Sequence, residues 1–524
     1  SIVFVANAQN GPPLLWVRSL DSFTAVPLSG TEGGLHPFWS PDGRSIAFFT
    51  TSSLKRVDVG SGTPQRLCDA VAGRGGSWSP SGVILFTHSA NTPIFRIPET
   101  GGEPTAATLF DPARGDDRHR YPQFLPDGKR FLYWARAPRT GLTGIYVAAL
   151  DSPQGRLVLK GPAMGEYAAG RLLTVQDGIL VSFPFDEKNA RITGPPLRIA
   201  ERIPTGNPPG YAPFSVSGAD VLAFSSPLPR SRQLAWFDRS GRRTPIGEPG
   251  DYSTPSLSPD GKKLVVALRE EGSKTDTDLW LYDFGRQTWS RFTFGAASER
   301  APVWSPDGSR IVFTSVAADT LLDLYEKPAS GSGEPRLVVA SGADKFLSDW
   351  SPDGRFLVYH TFGGNTFWDV WVAPLSGGKP FPFLATKFIE VQGRISPDGR
   401  WMAFTSDESG RLEVYVTDFP GKRGRWQIST KGGTQPNWRA DGKEIFFLGF
   451  DETLMAVPVA AGDSFDPGTA VPLFKAGFPQ LIPAYWANYC PTADGQRFLV
   501  AELVAETASA PINVVLNWTA TLKK

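Results

Sequence analysis

Val303-Trp304-Ser305-Pro306-Asp307-Gly308, followed by Arg310-Ile311-Val312-Phe313-Thr314, is the stretch on which the fold turns. Pro306 presets φ, Asp307 tolerates a turn, and Gly308 supplies φ > 0. A strand therefore runs in through Ala301-Pro302-Val303-Trp304 and returns through Arg310–Thr314. Leu322-Asp323-Leu324-Tyr325-Glu326 reads as a third strand and Arg336-Leu337-Val338-Val339 as a fourth. The turn recurs as Ser40-Pro41-Asp42-Gly43, Ser258-Pro259-Asp260-Gly261, Ser351-Pro352-Asp353-Gly354 and Ser396-Pro397-Asp398-Gly399. Degraded copies are Ser79-Pro80-Ser81-Gly82, Leu125-Pro126-Asp127-Gly128, Arg439-Ala440-Asp441-Gly442 and Thr492-Ala493-Asp494-Gly495. Asp260, Asp307, Asp353, Asp398, Asp441 and Asp494 lie 47, 46, 45, 43 and 53 residues apart. One four-stranded unit cannot bury both its faces, so copies at this period must pack around an axis. The predicted fold is all-β: tandem β-propellers of four-stranded antiparallel blades.

About twelve blade-like units are countable over the 524 residues, two of them incomplete. A single ring of twelve exceeds the usual ~4–8 blades, so two rings of about six are expected, with five plus seven as the alternative. The boundary falls in the Pro-rich stretch Ser226-Pro227-Leu228-Pro229-Arg230-Ser231-Arg232, giving a first propeller over 1–228 and a second over 229–524. After it, Gln233-Leu234-Ala235-Trp236-Phe237-Asp238 reads as a strand with no preceding hairpin partner. It is expected to close the second ring beside Phe498-Leu499-Val500 and Ile512-Asn513-Val514-Val515-Leu516. The first ring is expected to end with residues 211–226 pairing near the N-terminus. Ser1-Ile2-Val3-Phe4-Val5 begins inside a strand whose preceding hairpin half is absent, which predicts a truncated first strand and a piece of a longer protein.

The charge is balanced, with 53 basic and 52 acidic side chains, so nothing steers nucleic acid over long range. No apolar run reaches the length of a membrane span, and no signal peptide is recognisable. Gly 55, Pro 47, Trp 16 and Phe 35 suit many turns between short aromatic-rich strands. Cys68 and Cys490 fall in different predicted domains, so no disulfide is expected, and no metal-type cysteine spacing exists.

Chemistry-bearing motifs are sparse. Tyr282-Asp283-Phe284-Gly285 contains the kinase D-F-G triplet, but no H-R-D loop or G-x-G-x-x-G accompanies it, and it ends a predicted strand. No G-x-S-x-G elbow occurs. His36, His88, His119 and His360 form no close ligand pair. Asp276-Thr277-Asp278 and Asp407-Glu408-Ser409-Gly410 offer oxygens without a full calcium-loop pattern and read as turns. No metal or cofactor is predicted. Trp39, Trp78, Trp304, Trp350 and Trp438 share one place before the turn, which points to packing between blades rather than ligand stacking.

The remaining signal is positional. Segments entering first strands share one face with the loops joining second to third strands. On that rim the second ring offers Glu299, Arg300, Lys345, Glu390, Gln392, Arg394, Gln435, Asn437, Tyr485 and Asn488. The first offers His36, His119, Arg120, Glu166, Tyr167 and Tyr211. Such polar and aromatic groups suit a protein or peptide partner, or a small polar ligand. The opposing reading is a water-filled channel whose charges satisfy one another.

The W-S-P-D-G-x-x-I/L-V/A-F units resemble TolB-type (WD-like) propeller repeats, which also occur in the non-catalytic propellers of prolyl oligopeptidases and in tricorn-like proteins. Longer marks are Arg118-His119-Arg120-Tyr121-Pro122-Gln123-Phe124-Leu125-Pro126-Asp127-Gly128 and Leu234-Ala235-Trp236-Phe237-Asp238-Arg239-Ser240-Gly241. Others are Phe419-Pro420-Gly421, Trp426-Gln427-Ile428-Ser429-Thr430, Gly433-Thr434-Gln435-Pro436-Asn437-Trp438-Arg439 and Pro511-Ile512-Asn513-Val514-Val515-Leu516-Asn517-Trp518-Thr519. Together they look like the C-terminal propeller region of bacterial membrane-anchored serine/threonine protein kinases. That resemblance implies a non-enzymatic sensor outside the cytoplasm, signalling by altering the spacing or pairing of attached domains. No kinase domain or span is present here, so no catalytic residue carries over. The alternatives are a TolB-like periplasmic scaffold for protein–protein interaction, and a propeller hydrolase or lyase using Glu299 and Glu390 or His119.

Overall fold

The computed structural model describes the chain except residues 8–12, 51, 61, 71–72, 90, 139, 206–209, 219, 226–230, 271–276, 296, 317–320, 363–367, 462–463, 478–486, 505–510 and 524. Every strand pairing within its sheets is antiparallel, and sequence neighbours pair by hairpins, as the turn chemistry dictates. The unit built on Trp304 comprises Ser298–Trp304, Arg310–Val316, Asp323–Pro328 and Arg336–Val339, in that order. Among the described residues no helix is long and apolar enough to cross a membrane.

Each Ser-Pro-Asp-Gly turn is a closed hydrogen-bond device. Ser305 Oγ donates to Asp307 Oδ1 (2.5 Å) and accepts the Arg310 N–H (2.9 Å), while Asp307 Oδ1 accepts the Ser309 N–H (3.0 Å). The serine-to-aspartate bond recurs at Ser40–Asp42, Ser258–Asp260, Ser351–Asp353 and Ser396–Asp398. These donors hold the Asp307 carboxyl down to about 2. Gly308 sits at φ 70°, and a Cβ there would meet only Pro259 Cδ at 3.7 Å. Gly308→Ala therefore isolates the backbone cost. Urea unfolding should show a loss of about 1 kcal/mol, and an unchanged midpoint would contradict this account of the turn.

The chain folds into two compact units: Ser1–Leu228 with Ala508–Lys524, and Pro229–Thr507. In the first unit, six sheets are seen among the described residues. Ile2–Asn7 pairs Pro13–Arg18, which pairs Ala25–Pro27. The sixth sheet is Phe214–Val216, Val221–Ser225 and Ile512–Leu516. Two expectations are corrected here. Ile512–Leu516 completes a sheet of the first unit, not the second, and residues 214–225 pair with it rather than near the N-terminus. Trp518, fully buried, seats that return among Leu173, Ile203, Phe214 and Leu222. The proposed linker residues 226–230 lie outside the described residues.

In the second unit, Arg243–Leu257 runs through two sheets. Its first half pairs Arg232–Asp238 and its second half pairs Lys263–Arg269. Arg232–Asp238 in turn pairs Arg497–Leu503, with Trp236 opposite Leu499. The strand without a preceding hairpin partner thus joins the two ends of this unit. Inner strands pack in succession: Arg243–Leu257, Ser298–Trp304, Lys345–Trp350, Glu390–Ile395 and Thr434–Trp438. Arg243–Leu257 also packs on Tyr489–Pro491, which brings the succession round. The repeated tryptophans lie between sheets. Trp304 buries against Val265, Ala267 and Leu279 of the preceding sheet and donates Nε1–H to Ser256 O (3.1 Å). Trp438 likewise packs near Trp401 and Val414 and donates to Arg394 O (3.0 Å).

Candidate functional site

The inner strands share an irregularity that brings their side chains together. Register slips between Leu35 and Phe38, Arg120 and Gln123, Ser253 and Ser256, Arg300 and Val303, Val391 and Arg394, and Thr434 and Asn437. At each slip one residue turns left-handed: His36, Tyr121, Thr254, Ala301, Gln392 and Gln435, with φ from 47° to 60°. These are β-bulges. A non-glycine residue there costs roughly 1–2 kcal/mol, so contacts at the bulge must offset it. Five are followed by proline: Pro37, Pro122, Pro255, Pro302 and Pro436. Proline has no N–H, so the extra residue strands no ladder donor. The X-Pro pair two residues before the turn-side aromatic or leucine was the readable signal for this geometry.

In the second unit the bulge side chains tie neighbouring inner strands together. The Gln435 N–H and Thr405 hydroxyl both donate to Gln392 Oε1, at 2.8 and 2.9 Å. The Asn488 N–H donates to Gln435 Oε1 (2.9 Å), and the Tyr489 hydroxyl to Gln435 O (2.8 Å). Ala301 N–H reaches Thr254 Oγ1 (3.2 Å). Gln392→Leu would leave the Gln435 amide and Thr405 hydroxyl buried without this acceptor. The expected cost is roughly 1–3 kcal/mol, measured by urea unfolding, and a neutral result would contradict the bridge.

The predicted rim is largely buried, because inner strands converge at the axis. Glu299, Lys345, Glu390, Gln392, Gln435, Asn437, His119 and Arg120 are all buried. Glu299 accepts from Thr293 (3.1 Å) and Ser315 (3.3 Å). Glu390 accepts the Thr386 N–H (3.2 Å) and faces Arg425 at 3.8 Å; burial nonetheless raises its pKa. Lys345 Nζ, fully enclosed, bonds Asp323 Oδ1 (2.5 Å) and Ala343 O (2.9 Å). Burial pulls the Arg300 guanidinium down to about 10. Arg394 and Asn488 are half-buried, and Arg394 Nη1 lies 3.4 Å from Asp349. Tyr485 lies outside the described residues.

In the first unit, His36, Tyr121 and Tyr211 come together, with ring centroids 6.0–6.4 Å apart. Burial, with Arg74 and Arg120 nearby, holds His36 down to about 3. Burial lifts Tyr211 to about 12. Burial also lifts Glu166 to about 7, against the Val216 N–H that it accepts at 2.7 Å. Tyr167 donates its hydroxyl to Glu187. His119 is fully buried in the strand Arg118–Phe124. Nε2 faces Asp116 (2.7 Å) and Nδ1 faces Thr108 (2.8 Å), and Arg114 also binds Asp116. The three catalytic candidates are therefore split: Glu299 and Glu390 belong to separate sheets of one unit, His119 to the other.

The remaining motifs are structural. Asp283 Oδ1 accepts the Gly285 and Arg286 N–H groups (both 2.9 Å), and Phe284 packs on Trp236. Asp407 accepts the Ile389 N–H (2.8 Å), and Glu408 pairs Arg425 (2.8 Å). Asp276 lies outside the described residues. Cys68 and Cys490 are free thiols, which burial raises to about 11 and about 12.

The inner strands of the second unit line a cavity of about 70 Å³, walled by Ser348, Arg394, Asn437, Tyr489 and Cys490 among others. That is room for a few waters or one small polar group, far below the ~300 Å³ of ordinary ligand pockets.

Residues 237–378 match the family model of the TolB beta propeller domain. Over 106 residues, 19% of this chain, the sequence is 31% identical to the Tol-Pal system protein TolB of Anaeromyxobacter dehalogenans strain 2CP-C. It is 30% identical to that of Anaeromyxobacter sp. strain K over the same length. The chain spans only 22% of the length of these relatives. Among solved structures, a TolB-type protein from Agrobacterium tumefaciens aligns at TM-score 0.43 and 20% identity, covering 53% of this chain and 100% of that one. TolB from Acinetobacter baumannii aligns at TM-score 0.32 and 16% identity, covering 76% and 80%.

Proposed function

We propose that the chain is a non-catalytic, protein-binding propeller module that works outside the cytoplasm as a TolB-like scaffold. The observation that carries this reading is the TolB-propeller match over residues 237–378. The relatives matched are named as components of the Tol-Pal protein system. The engagement of Glu299, Glu390 and His119 in local hydrogen bonds supports a structural use of those groups. The half-buried polar groups Arg300, Arg394, Asn488, His36, Tyr167 and Tyr211 remain the candidate contact residues.

The kinase-ectodomain reading is kept because of the marks at 118–128, 234–241, 419–439 and 511–519. It requires a kinase domain encoded upstream, where the scaffold reading requires an export signal. The test of binding is capture by the full chain from a periplasmic extract, followed by titration of the identified, purified partner. Asn488→Arg should weaken that partner by about tenfold or more. Turnover of a hydrolase substrate panel that disappears in Glu390→Gln would overturn the non-catalytic reading.

A further inference from the structure

We infer that the axis of the second unit holds a carboxylate. The cavity wall there offers hydrogen-bond donors that are only partly used. Gln435 and Asn437 are 2% and 7% exposed, and both line the axial space. Gln435 Nε2 is buried with no hydrogen-bond partner, and Asn437 Nδ2 is buried with only the Tyr489 hydroxyl beside it. Leaving a buried amide N–H dry is costly, and native proteins rarely do so without a ligand or water.

Three backbone acceptors beside the same space are already used. Arg394 O receives the Trp438 indole, Ser256 O the Trp304 indole, and Gln435 O the Tyr489 hydroxyl. Gln435 and Asn437 add amide donors to that wall. Arg394 adds a guanidinium that touches Asp349 through one nitrogen, Nη1 at 3.4 Å. Asp349 is engaged elsewhere, accepting the Ile395 N–H at 2.7 Å. Burial raises the Asp349 pKa even beside Arg394, which weakens the competing charge. The Cys490 thiol, raised to about 12, stays neutral in the wall. A planar group with two acceptor oxygens fits an arginine fork flanked by amides, and the volume admits one such group but not a ring-sized ligand.

The carboxylate can come from a small acid or from a peptide, and the peptide source rests on the protein-binding reading above. The experiment uses the full 524-residue chain labelled with ¹⁵N at Asn and Gln side chains. Sodium acetate is titrated against sodium chloride at equal ionic strength, followed by a short peptide as free acid and as C-terminal amide. Acetate should shift the Gln435 and Asn437 amide signals saturably, and chloride should not. Asn437→Asp, which replaces a donor by a carboxylate, should weaken acetate by about tenfold or more. If that variant does not fold, the titration of the unaltered chain decides alone. Saturation by the free-acid peptide but not its amide supports the carboxylate site with a peptide source. Saturation by acetate with neither peptide bound supports the site and removes support from a peptide partner there. No saturable shift with acetate or either peptide means that water fills the cavity, and overturns the inference.

Discussion

Replacing Trp518 by alanine is expected to destabilise the first unit by roughly 3–5 kcal/mol, although the residue stands close to the end of the chain. The indole is fully buried among Leu173, Val175, Ile203, Ala212, Phe214 and Leu222, all from residues 163–222. Its removal opens a large cavity in a core that close-packed strands cannot refill. It also loosens the seating of Ile512–Leu516 on Val221–Ser225. Asp220 accepts the Thr519 N–H (3.1 Å) and hydroxyl (2.7 Å), a second tie at the same junction. Calorimetry should show the transition of the first unit falling in temperature. Tryptophan fluorescence and hydrogen exchange should report residues 232–503 unchanged. Loss of the transition belonging to 232–503 instead would mean that the C-terminal segment supports the other unit.

His360 carries the second large effect. Its ring is fully buried in the second unit, stacked on Phe346 at 5.4 Å and edge-on to Trp368 at 5.6 Å. Nδ1 lies 3.1 Å from Ser348 Oγ. Burial holds its pKa down to about 3, against an ordinary value of 6.5. A group with a depressed folded-state pKa contributes stability above its unfolded value and loses it as pH falls through the window to its folded value. The window here is pH 6.5 to about 3. Within it the unfolded chain takes up a proton that the folded chain refuses, at about 1.4 kcal/mol per pH unit. His360→Phe keeps an aromatic ring and abolishes this term. The stability difference between the unaltered chain and the variant should therefore shift progressively against the unaltered chain as pH falls from 6.5. The turn aspartates cancel in that difference, since both proteins carry them. Parallel curves across the window would contradict the burial of a neutral imidazole.

The parts of the fold set by local chemistry were legible. Ser-Pro-Asp-Gly announces its own turn because the serine, aspartate and glycine complete its hydrogen bonds within the span from Ser305 to Arg310. Gln233–Asp238 was legible as a strand needing a distant partner, because no turn precedes it. The sequence points Ile512–Leu516 to the wrong unit because pairing between distant strands leaves no local trace: the same five residues can face either edge. The candidate site was legible only as positions. A repeat tells which end of a strand a residue occupies. It does not tell that the bulge at Gln392 or Gln435 turns the side chain onto the next strand, so the hydrogen bonds that tie these inner strands together are not legible in the sequence. The prolines after His36, Tyr121, Thr254, Ala301 and Gln435 carry that information, although in sequence they look like ordinary strand residues.

The two units interleave along the chain: one closes through residues 232–238 with 497–503, while the chain beyond returns to complete the other. Pulsed hydrogen exchange through a urea titration of the unaltered chain reads this interleaving out. Peptides covering 512–516 should lose protection at the same midpoint as 221–225, and those covering 497–503 at the midpoint of 232–238. Exchange of 512–516 in step with 497–503 instead would contradict it.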